Sequence, residues 1–146
     1  MKNKSLFSTG NFFKPHKIID AWLNPYACTA TTDLDGNKLL ISWTKRAQQA
    51  FDKLASPLTV EMQLYFSCVV KKRVLFHQNS LPDTTPINQQ FGIIFRPVEA
   101  NSCDPEEFAR NYPAKKQMQS AGAIKMHPRQ LILDYKKGNW AGEFMI

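Results

Sequence analysis

Three histidines and three cysteines are the side chains best suited to metal or nucleophilic chemistry: His16, His77, His127, Cys28, Cys68 and Cys103. Structural zinc sites take ligands in pairs two to five residues apart, so that one turn aims both at the ion. No pair here has that spacing. The closest, Cys68 and His77, has opposite parity and would stand on opposite faces of a strand. We therefore expect no metal site and no cofactor. A thiol nucleophile needs a histidine within hydrogen-bond reach and a lowered pKa. Cys68 alternates with apolar residues and reads as a buried thiol. Cys28 precedes a hairpin and could be accessible, and Cys103 stands just before Asp104, where a helix N-terminus would stabilise a thiolate. The chain has no GxSxG, no HExxH and no phosphate-cradling glycine loop. Glu106-Glu107, its paired carboxylates, are explained by helix capping. Whether the protein is an enzyme stays open, with a small thiol-dependent enzyme as one of two readings.

The other reading starts from charge. The net charge is +7, which favours anionic partners over cationic ones. Lys2, Lys4, Lys14 and Lys17 precede the first acid, Asp20, and Phe7, Phe12 and Phe13 are interleaved with them. Such an arm is either a solubilising terminus or a surface for phosphate contact and base stacking. A second basic feature, Lys71-Lys72-Arg73, interrupts the apolar stretch TVEMQLYFSCVVKKRVLFHQ. Period-two alternation puts the even residues, Val60 to Phe76, on the core and the odd ones towards water or a partner. Lys72 alone breaks the pattern. Straight strand from Val60 to His77 would run about 59 Å at roughly 3.3 Å per residue. A domain of this length is only about 38 Å across, so the chain must bend, bulge or turn. We expect a bend at Lys71-Lys72-Arg73, because a three-residue hairpin loop there would want a glycine. Charges at a bend need no function. If they have one, Tyr65, Lys71, Lys72, Arg73 and His77 are the candidate anion-binding residues, offering stacking, hydrogen bonds and positive charge.

The elements that would position these residues are legible in places. Asp35-Gly36 joins ACTATT to KLLISW, so a hairpin turns near 33–37. A calcium loop counted from Asp33 would need glycine and glutamate where Lys38 and Thr44 stand, so the aspartates belong to the turn. Thr44 caps a helix whose apolar face is Ala47, Ala50, Phe51, Leu54 and Ala55. Asp104, Pro105 and Glu107 open a second helix, ended by Pro113. IIDAWL begins a strand or a short amphipathic segment. Residues 79–88 form a polar loop, QFGIIFRPV a strand, and KKQMQSAGAIKMHP a loop with a helical turn. QLILDY and WAGEFMI make a C-terminal hairpin through KKGN.

Together these give an α+β class: a mainly antiparallel sheet with two short helices packed on it in a single domain. The expected division is a basic arm over 1–17 and the domain over 18–146. Its core should include Phe51, Leu54, Leu64, Phe66, Ile94 and Leu133. No apolar run is long enough to span a membrane, and the N-terminus lacks the apolar segment of a signal peptide. Widely spaced cysteines, odd in number, read as reduced thiols, which points to the cytoplasm. The function favoured on these grounds is a non-catalytic intracellular binding domain with a basic sheet face for a weakly held anionic partner, nucleic acid or another phosphate-bearing ligand.

Overall fold

Asp35 and Gly36 take positive φ values of 52° and 83°, as the hairpin reading requires. The turn is tied by Gly36 N–H donating to Asp33 Oδ1 at 2.7 Å. It joins β1 (Cys28–Leu34) to β2 (Asn37–Trp43). In this computed structural model, residues 15–66, 70–100, 115–117 and 126–146 are described. The C-terminal hairpin repeats the device: Lys137 and Gly138, at φ 52° and 81°, join β8 (Gln130–Lys136) to β9 (Asn139–Met145). Thr44 caps helix α2 (Lys45–Asp52), its Oγ1 accepting from Ala47 N–H at 3.1 Å.

The long apolar stretch is a hairpin and not a bent strand. β3 (Leu58–Phe66) and β4 (Val70–His77) pair antiparallel, with Phe66 opposite Val70, Leu64 opposite Lys72 and Val60 opposite Phe76. The reversal falls between Phe66 and Val70, so the expected bend at 71–73 is corrected. Lys71, Lys72 and Arg73 lie inside β4. The length argument demanded a reversal but could not locate it. β4 is the terminal strand of its sheet.

One sheet is four-stranded, in the order β1-β2-β8-β9. The other has the order β4-β3-β6-β5, with β7 (Lys115–Gln117) also pairing β6 (Phe91–Ala100); β5 is only Thr85–Pro86. Both sheets are mixed. The inner pairs β2–β8 and β3–β6 are parallel, and the flanking pairs antiparallel. The α+β class holds, as one pair of mixed sheets instead of one mainly antiparallel sheet. Lys115–Gln117, expected in a loop, is strand. IIDAWL falls in a helix, α1 (Pro15–Leu23). The helix expected over 104–112 lies outside the described residues.

The two sheets and α2 share one core. Leu39, Ile41, Val60, Met62, Leu64, Ile93, Leu131, Leu133 and Phe144 are buried in it with Phe51 of α2. Phe51 stacks on Phe91 with centroids 4.5 Å apart and meets Trp140 at the same distance. Leu54 and Phe66 pack at its margin. Ile94 is buried, but parity puts it on the opposite face of β6, across from Glu61. Edge strands β4 and β9 lie together, and Gly142 leaves room there: a Cβ on it would stand 2.9 Å from Val74 Cγ1.

Candidate functional site

Register sets the candidate residues on two faces. On the outer face of the second sheet, Arg73, Gln63 and Arg96 form one row across β4, β3 and β6. Lys71 stands opposite Tyr65, and His77 opposite Thr59. Lys72 has the other parity. Its Nζ donates to the Phe144 carbonyl at 3.0 Å and lies 5.7 Å from that ring's centroid. It therefore ties β4 to β9, and the sequence exception is explained by a structural bond.

The odd residues of β3 do not face water as the alternation suggested. Glu61, Gln63 and Tyr65 are all buried. Polar side chains remain there because each finds a partner. Gln63 Nε2 donates to Glu61 Oε2 at 2.6 Å, Arg73 Nε donates to Gln63 Oε1 at 2.7 Å, and His77 Nε2 lies 2.7 Å from Glu61 Oε1. Arg96 Nε stands 3.6 Å from Glu61 Oε2. Burial pushes the Glu61 carboxyl up, but hydrogen bonds from Gln63 and His77 and the charge of Arg96 outweigh it and leave it below its ordinary value. On β3, β4 and β6 the described residues of this face include one acid, Glu61, and the permanent cations Lys71, Arg73 and Arg96. Lys71 is exposed. Tyr65, being buried, orders the face without offering a ring for stacking.

A second polar cluster was missed in the sequence. Arg46 grips two carboxylates at once. It donates to Asp20 through Nη1 and Nη2 at 2.9 and 3.0 Å, and to Asp134 through Nε and Nη2 at 2.8 and 2.7 Å. Thr44 Oγ1 donates to Asp134 Oδ1 at 2.6 Å, and Lys136 Nζ lies 3.1 Å from Asp20. Hydrogen bonds from Arg46 and Lys136 hold the Asp20 carboxyl far below its usual range. Burial raises Asp134, but Arg46, Thr44 and the Tyr135 N–H together bring it below normal. A signal existed: α2 begins with Lys45-Arg46 and no acid in its first turn, against the helix dipole. Only a carboxylate from elsewhere makes that arrangement favourable.

Cys28 is a half-buried free thiol packed against the core; Cys68 and Cys103 lie outside the described residues. Among the described residues no three His, Cys, Asp or Glu side chains group as a metal site would need, and no helix is long and apolar enough to cross a membrane. In comparisons with known proteins, no family model, curated sequence or solved structure matches this chain.

Proposed function

We propose that this chain is a non-catalytic binding domain that holds an anionic partner, nucleic acid or another phosphate-bearing ligand, on the outer face of its second sheet. The observation that supports this most is the half-buried pair Arg73 and Arg96, on β4 and β6 either side of the buried Gln63, with the exposed Lys71 one step along β4. Adjacent strands lie about 4.8 Å apart, so the two arginines are separated by roughly 10 Å across the row. Their planar guanidiniums suit bidentate contact with phosphate oxygens. Gln63 fixes Arg73 through Nε, which lowers the ordering cost of using it. Lys72 contributes by tying β4 to β9. Cys28, unpaired, fits the reducing intracellular setting that belongs to this reading.

Fluorescence titration with short RNA, short DNA and heparin tests the proposal. The double variant Lys71→Ser, Arg73→Ser should bind more weakly than wild type at low salt. Equal binding by the two proteins would remove the face from consideration.

A further inference from the structure

Helix α1 is amphipathic the wrong way round for a packed helix. Ile18, Ile19, Trp22 and Leu23 fall within an arc of about 140° on the helical pitch. That side is turned outward: Trp22 is 79% exposed, Leu23 62%, and Ile18 and Ile19 55% each. The polar side faces the body, where Asp20 meets Arg46 and Lys136. Asn24 secures the C-terminal end, its Nδ2 donating to the Asp20 carbonyl at 3.0 Å. Water is a poor partner for such a stripe, and contiguous exposed apolar surface marks a contact.

Charge decides what makes the contact. Lys2, Lys4, Lys14 and Lys17 are clustered at and before α1, with Asp20 the only acid up to Ala30. Two copies meeting through α1 would bring these like charges together. A single nine-residue helix also falls short of the roughly 800 Å² per partner of a stable protein interface. An anionic bilayer meets both features. Ile, Leu, Trp and Tyr favour the boundary between headgroups and acyl chains, and lysines are drawn to the negative surface. We propose that α1 is an interfacial anchor that seats its Ile18–Ile19–Trp22–Leu23 face in an anionic lipid surface, while Asp20, Arg46 and Asp134 hold the helix to the body. Reversible anchoring of this kind needs two signals, apolar insertion and basic charge, and the segment carries both.

Co-flotation of the full chain with vesicles tests this, using phosphatidylcholine alone or mixed with phosphatidylserine. Trp22 supplies a second readout, because its exposed indole should shift to the blue and escape acrylamide quenching on insertion, whereas Trp43 is already buried. We expect flotation with the mixed vesicles and little with phosphatidylcholine. Ile19→Ser, Leu23→Ser should weaken partitioning about tenfold or more, the loss of two inserted side chains. Lys14→Ser, Lys17→Ser should weaken it roughly fivefold per lysine. The Ile19→Ser, Leu23→Ser variant should keep the wild-type melting temperature, since both side chains are exposed. Lys71→Ser, Arg73→Ser should float like wild type, which separates this surface from the polyanion face. Absence of flotation with the mixed vesicles would overturn the proposal, as would flotation indifferent to Ile19→Ser, Leu23→Ser. Concentration-dependent dimerisation abolished by that variant, without lipid binding, would assign the stripe to a second copy instead.

Discussion

Arg46 is the residue on which the attachment of α1 depends. Its guanidinium serves Asp20 on α1 and Asp134 on β8 together, and the Asp134 side chain is only 8% exposed. Arg46→Ala would leave a buried carboxylate without its main partner, at a cost of about 2–4 kcal/mol, somewhat under a fully buried pair because Arg46 itself is partly solvated. Urea unfolding measures the cost, and limited proteolysis near Pro25 should accelerate in the same variant. The pH dependence has a definite sign. Asp20, Asp134 and Glu61 all have folded-state pKa values below their ordinary ones. Their contribution is therefore complete above the unfolded carboxylate range, near pH 4, and is lost as pH falls through the lower folded values. The melting temperature should drop steadily below about pH 4; a rise on acidification would contradict the assignment. At the triplet, Lys72→Ser should cost about 0.5–1.5 kcal/mol by losing the Phe144 carbonyl and ring contacts. Lys71→Ser should stay within about 0.5 kcal/mol. Equal effects in chemical denaturation would place both lysines alike and contradict the strand register.

At the scale of elements, what could be read was what local chemistry determines. Both two-residue turns declared themselves through Asp35-Gly36 and Lys137-Gly138, because only a few residue types accept positive φ there. The Thr44 cap and the Ala47/Phe51 face were equally local. The β3–β4 reversal was misplaced because the chain between Phe66 and Val70 contains no glycine or proline, so the lysines and arginine were the visible interruption. Parity survived the error. Leu64 is 2% exposed, on the core side, and Leu64→Ala should cost about 2–5 kcal/mol through the cavity left behind. An unchanged denaturation midpoint would overturn the inward assignment of the even residues. Parity could not reveal that Glu61, Gln63 and Tyr65 are buried too, since alternation separates two faces without saying which of them meets water.

Across the whole molecule, neither sheet order was legible. Hairpins pair neighbours in sequence, whereas the parallel contacts β2–β8 and β3–β6 join segments far apart, and no local residue choice encodes them. The same long-range pairing creates the candidate site, because it brings Arg96 beside Gln63 and Arg73. Lys71, Arg73 and His77 could be grouped by parity; Arg96 could not. The measurement that bears most directly on this site is the salt dependence of binding to a short RNA. Each phosphate contact contributes about 0.7–0.9 to the slope of log K against log salt. Replacing Lys71 and Arg73 by Ser should therefore flatten the slope by about 1.4–1.8, with a lowered melting temperature because the buried Gln63 loses the Arg73 donor. Parallel slopes for wild type and variant would contradict the account.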